Sequence, residues 1–88
     1  MSAHAPETPP WCVYILRCRD GSLYTGITND LDKRLGEHRE GRGSRFVRSR
    51  LPFTLAWSEP AASRSDALRR EASIKKMDRA GKLHLISG

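Results

Sequence analysis

Eighty-eight residues, 38% hydrophobic and 30% charged, describe one small folded domain and exclude a second core or a disordered chain. Sixteen Lys and Arg against ten Asp and Glu give a net charge of +6, a balance that favours a nucleic acid partner. No apolar run approaches the roughly 20 residues that span a bilayer, and residues 1–10 lack a basic segment followed by an apolar one, so neither an anchor nor a leader is expected.

Met1–Pro10, rich in Ala, Pro, Thr and Glu, reads as a disordered tail, with the domain over residues 11–88. Trp11–Cys18 and Ser22–Thr28 are rich in strand-favouring residues, and Arg19-Asp20-Gly21 between them is a turn signal. The loop length decides which side chains share a face. A two-residue loop sets Tyr14 and Tyr24 on opposite faces; a three-residue loop pairs Tyr14 with Gly26 and Leu16 with Tyr24, so the tyrosines share one. The second register also gathers Trp11, Val13, Ile15, Leu23 and Ile27 on the other face, and is preferred for that segregation. Cys12 and Cys18 read as two reduced cysteines of a cytoplasmic protein, without the ligand set of a metal site.

Asn29 or Asp30 caps a helix through about Glu40, with Leu31 and Leu35 inward and Gly41 as its stop. The following stretch, carrying Arg42, Arg45, Arg48 and Arg50, is a loop or short helical turn. Pro52 introduces a strand over Phe53–Ser58. Ser63 or Ser65 caps a helix over about residues 66–77, and Asp78 restarts a short one carrying Leu83, Leu85 and Ile86. The order is ββαβαα, an α+β domain with a three-stranded, mainly antiparallel sheet.

Two groups on the helices carry chemistry. Arg34 and His38, four apart, stack on one side of the first helix. On the later helix Ala67, Leu68, Ala72 and Ile74 share an arc at about 100° per residue, and Glu71 projects from within it. A carboxylate there needs a cation or an ion-pair partner.

These residues, in this order, resemble the GIY-YIG nuclease superfamily over almost everything after residue 10, and within it the small single-domain bacterial members. Val13-Tyr14-Ile15 stands at the first tripeptide and Tyr24-Thr25-Gly26 at the second. Arg34 stands at the helix arginine, His38 at a position the family fills with His or Tyr, and Glu71 at the metal-binding glutamate. Val13 replaces the first glycine, and Ile27 and Thr28 stand where some members carry a lysine.

The resemblance implies an endonuclease that hydrolyses nucleic acid phosphodiesters, DNA before RNA, in DNA repair or processing. It implies one Mg²⁺ or Mn²⁺ on Glu71, with Arg34 on a phosphate oxygen, Tyr14 relaying a proton from the attacking water, Tyr24 positioning the water or Tyr14, and His38 assisting as base or hydrogen-bond partner. A phenol is too weak a base unless Arg34, the metal or His38 lowers its pKa. Arg42, Arg45, Arg48 and Arg50, with Lys75 and Lys76, are expected to hold flanking phosphates, and Phe46 to stack on a base. A monomer is assumed. A nucleic-acid-binding module without catalysis, or a protein-interaction domain, would need neither Glu71 nor a metal.

Overall fold

The computed structural model describes residues 11–88; the tail expected over residues 1–10 lies outside them. The chain runs β1 (Trp11–Cys18), β2 (Leu23–Thr28), α1 (Leu31–Arg39), α2 (Arg45–Arg48), β3 (Phe53–Ala61), α3 (Arg64–Lys75) and α4 (Arg79–Ser87). The sheet has the order β2-β1-β3 with both pairings antiparallel. The α+β class holds, and the Arg-rich stretch contains one short helical turn. Among the described residues no helix is long and apolar enough to cross a membrane.

The central strand separates two cores. Tyr14, Leu16 and Cys18 point toward α1 and α2, where they meet Leu35 and Val47. Val13 and Ile15 point the other way and meet Ala67 and Ile74 of α3, with Trp11, Leu23 and Ile27 packed around them. This is the segregation that the three-residue hairpin loop demands. Tyr14 pairs with Gly26 and Leu16 with Tyr24. The Cys18 N–H donates to the Ser22 carbonyl at 2.9 Å, and Gly21 turns the chain at φ +87°, where a side chain would be strained.

Helix α1 is capped by the Asp30 side chain, which accepts from the Lys33 N–H. It stops at Gly41, φ +80°, with the Arg42 N–H donating to the Glu37 carbonyl, the hydrogen bond of a Schellman end. Ser63, rather than Ser65, caps α3, and Asp78 caps α4.

Two expectations change. Strand β3 continues past Ser58, pairing Glu59, Pro60 and Ala61 with Val13, Cys12 and Trp11. Proline in a strand argues for a break, but β3 is an edge strand, where the missing N–H costs no ladder bond. A register shift between Ile15 and Leu16 leaves Ala56 as the extra residue of a bulge. On α3, Leu68 and Ala72 are exposed; the inward stripe is Ala67, Arg70, Glu71 and Ile74, at i, i+3, i+4 and i+7. The apolar arc is therefore narrower than the sequence suggests, and Glu71 still lies within the packed side.

Tyr14 lies across β2 at Gly26, where an added Cβ would come 2.6 Å from its hydroxyl oxygen and 2.7 Å from its Cζ. Gly26→Ala should therefore cost about 1–3 kcal/mol in urea unfolding through overpacking. In a Tyr14→Ala background most of that penalty should vanish, since the clashing ring is gone. Equal penalties in the two backgrounds would show that the glycine serves something other than the ring.

Candidate active site

Tyr14 and His38 are each only 1% exposed, and the Tyr14 hydroxyl lies 2.9 Å from His38 Nε2. β1 delivers the phenol and the inward side of α1 delivers the imidazole. Tyr24 completes the group, with ring centroids 6.4 Å from Tyr14 and 5.5 Å from His38. Phe53 meets the imidazole edge-on at 6.0 Å. The opposite side of the imidazole is closed by backbone: a Cβ at Gly43 would sit 2.4 Å from His38 Nδ1, which is buried and has no hydrogen-bond partner. Neither Gly43 nor Phe53 was legible as part of the site, because their role is shape rather than chemistry.

Burial sets the protonation of the pair. It pushes the Tyr14 phenol well above its ordinary value, Tyr24 adds to the rise, Arg34 opposes it, and Cys12 and Glu71 raise it further. His38 is pushed down, first by burial and then by Arg34, with Glu37 opposing. Tyr14 is thus a neutral phenol and His38 a neutral imidazole at neutral pH. The lowering expected of Arg34 exists, but burial outweighs it in the resting protein.

Arg34 is 38% exposed at its side chain and pairs with Glu37 at 3.2 Å. A hollow of about 180 Å³ opens beside it, lined by Thr28, Asn29, Asp30, Lys33, Arg34 and Glu37. Tyr14 and His38 are covered by their neighbours, while Arg34 is partly exposed. Gly26 is the reason, since the space a side chain would fill on β2 lets the Tyr14 ring lie flat against the sheet.

Glu71 has a side chain 18% exposed and pairs with Lys75 at 3.3 Å. Among the described residues no group of three or more His, Cys, Asp and Glu side chains is placed to hold a metal ion. The donor chemistry still fits a hard divalent cation: Glu71 offers carboxylate oxygens, its Lys75 partner is exposed and displaceable, and Mg²⁺ keeps several waters even when bound.

The basic residues divide into held and free. Arg42 pairs with Glu40, and Arg50 pairs with Asp20 at 3.1 Å while its guanidinium covers the Phe46 ring at 3.9 Å. Tyr24 also stacks on Phe46, at 6.0 Å and 28°. The ring read as a base platform is already engaged by the protein. Arg45 and Arg48 line an open cleft of about 420 Å³ with Gly41, Arg42, Gly43 and Ser44. Lys75 is taken by Glu71, and Lys76 caps the C-terminus of α3 in an exposed position.

The family model described as "GIY-YIG catalytic domain" matches residues 10–84. A UPF0213 protein of Cronobacter sakazakii is 44% identical, covering 89% of this chain and 82% of that protein. One from Staphylococcus saprophyticus is also 44% identical, covering 85% and 92%. The solution NMR structure of a UPF0213 protein from Bacillus halodurans matches with a TM-score of 0.58 at 42% identity, covering 88% of this chain and 82% of that one.

The depressed His38 pKa makes stability depend on pH with a definite sign. The unfolded chain binds this proton more readily, so the contribution is present above the ordinary value of 6.5 and is lost as pH falls toward the folded-state value. One such group changes stability by at most about 1.4 kcal/mol per pH unit. Urea unfolding at about pH 7.5 and about pH 5 should show His38→Gln losing less stability on acidification than the parent. Identical losses would mean that His38 is not held neutral by burial.

Proposed function

The chain belongs to the GIY-YIG catalytic-domain family, and from that premise we propose that it is a divalent-metal-dependent endonuclease acting on DNA in the cytoplasm. The observation that carries this reading is the environment of Tyr14. Its hydroxyl lies 2.9 Å from His38 Nε2, and the Tyr24 ring lies 6.4 Å from its own and 5.5 Å from the imidazole. Side chains from β1, β2 and α1 thus meet around one phenol.

Arg34 takes a non-bridging phosphate oxygen, exchanging its Glu37 partner for an anion whose charge grows during attack. Glu71 would hold one Mg²⁺ or Mn²⁺, and the ion when bound would supply charge neutralisation at the phosphate and a more acidic water. Tyr14 cannot rest as a phenolate, so it works as a relay rather than as a stored base. The attacking water gives a proton to the Tyr14 oxygen as Tyr14 passes its own to His38 Nε2, 2.9 Å away. Water oxygen bonds to phosphorus and the P–O ester bond breaks; Tyr14 gives its proton to the leaving oxygen as the imidazolium returns one to Tyr14, restoring phenol and neutral imidazole. The neutral imidazole is what makes Nε2 an available acceptor, which is the use of its lowered pKa. Tyr24 holds the Tyr14 ring and the water in line. Arg45 and Arg48, lining the open cleft, hold flanking phosphates.

Cleavage of flapped and branched DNA, with and without Mg²⁺, tests the proposal. Glu71→Gln should lower metal-dependent cleavage by at least about 10²-fold while metal-free DNA affinity holds or rises. Arg34→Ala should damage cleavage and binding together, since its guanidinium meets phosphate in both states. Salt-sensitive binding with no cleavage under any divalent cation would leave a binding module. A folded Glu71→Gln protein that cuts at the parent rate would remove Glu71 from the mechanism.

A further inference from the structure

Sorting the arginines by partner leaves a second unpaired group outside the stretch that holds Arg45 and Arg48. Arg42, Arg50, Arg69 and Arg70 pair with Glu40, Asp20, Asp66 and Glu59. Arg17, Arg19 and Arg39 are exposed, and among the described residues none of them is in an ion pair with a carboxylate. All three border the start of β3. One hollow of about 220 Å³ is lined by Arg39, Leu51, Pro52 and Phe53. A second, of about 300 Å³, shares Pro52 and Phe53 and is bordered by Arg17 and Arg19. The two hollows thus share a proline–phenylalanine ridge, with Arg17 and Arg19 lining one and Arg39, whose guanidinium lies over the Phe53 ring, lining the other.

We propose that this ridge is a subsite for unpaired nucleotides, with neighbouring bases of a single-stranded segment seated against Pro52 and Phe53 and their phosphates on Arg17, Arg19 and Arg39. The inference rests on the nuclease reading above and gives it a substrate class: DNA with a frayed, flapped or single-stranded portion. Charge complementarity selects a polyanion, and the apolar walls select one whose bases are exposed. A continuous duplex keeps its bases stacked inside and presents only phosphates, so the walls would stay empty. A single strand offers a π face with every base, whatever its sequence. Phe53 is also the residue that meets His38 edge-on at 6.0 Å, so bases seated here lie beside the candidate active site. Arg39, whose guanidinium lies 5.5 Å from the Phe53 ring, is the residue next to His38 on α1.

Metal-free binding to three probes of equal length tests the subsite: a single strand of about 12 nucleotides, the same sugar–phosphate chain without bases, and a blunt duplex. The single strand should bind at least about 5-fold tighter than the baseless chain, the low end of one base–aromatic contact. Phe53→Leu keeps the apolar bulk and removes the π face, so it should erase much of that difference and leave affinity for the baseless chain unchanged. The Arg17→Gln/Arg19→Gln double variant, at exposed positions, should weaken both chains and reduce the log–log salt slope for the single strand by about 1.4, two phosphates' worth. Equal binding of the base-bearing and baseless chains, or a preference for blunt duplex, overturns the proposal. If the parent shows that outcome and still nicks DNA with Mg²⁺, only the subsite falls. If the parent binds no probe and cuts nothing, the nuclease reading falls with it. Should Phe53→Leu fail to fold, the baseless chain and the arginine variant still decide.

Discussion

Much of the α1 side of the sheet depends on a phenol lying where β2 has no side chain. Tyr14 fits because its partner across the ladder is Gly26, and its hydroxyl then reaches His38. That contact fixes the distance of α1 from the sheet. The imidazole in turn requires the loop after α1 to pass close by, which only a residue without a side chain permits at Gly43. Two glycines separated by sixteen residues of sequence thus serve one pair of rings. The packing makes the pair a core element as much as a chemical one. Burial is also what keeps the phenol protonated and the imidazole neutral.

Net charge read along the chain does not say which guanidinium groups are already paired. The density of arginine between residues 42 and 50 points there, yet Arg42 and Arg50 spend their charge on Glu40 and Asp20. Arg50 works as a strut: it joins the hairpin turn through Asp20 and covers Phe46, which stacks on Tyr24. Its removal would loosen the packing of Phe46 against Tyr24. An exposed pair contributes little stability, about 0–1 kcal/mol, but it removes a cation from those available to a ligand. Among the described residues, guanidinium groups without a carboxylate partner remain within that stretch at Arg45 and Arg48, and outside it at Arg17, Arg19 and Arg39 around the start of β3.

What was legible in the sequence follows from periodicity and from glycine. The hairpin register came from requiring two coherent faces, and Gly21 allowed the loop that produces them. Helix α1 came from its cap and stop, and the inward position of Glu71 from the helical period. The full length of β3 was not legible, since Pro60 reads as a break until the strand is known to lie at the edge. Leu68 and Ala72 were assigned to a buried arc because composition cannot say how wide a contact the sheet offers. The ion pairs that neutralise Arg50 and Arg70 join residues 30 and 11 positions apart and have no local signature. Arg34 and Glu37 did have one, an i,i+3 spacing, and it went unused.

Helix α1 links the two halves of the molecule that a substrate would touch. Arg34 and His38 stand one turn apart on its inner side, and Arg39 follows immediately toward the ridge at Phe53. A helix held by a cap at Asp30 and a Schellman end at Gly41 moves as a unit, so these side chains keep their spacing. The same loop that leaves the helix carries Gly43 against His38 and lines the cleft of Arg45 and Arg48. In a domain this small, the buried pair and the basic rim share their elements: α1 carries His38 and Arg39, β1 carries Tyr14 and Arg17, and Phe53 of β3 meets both His38 and Arg39.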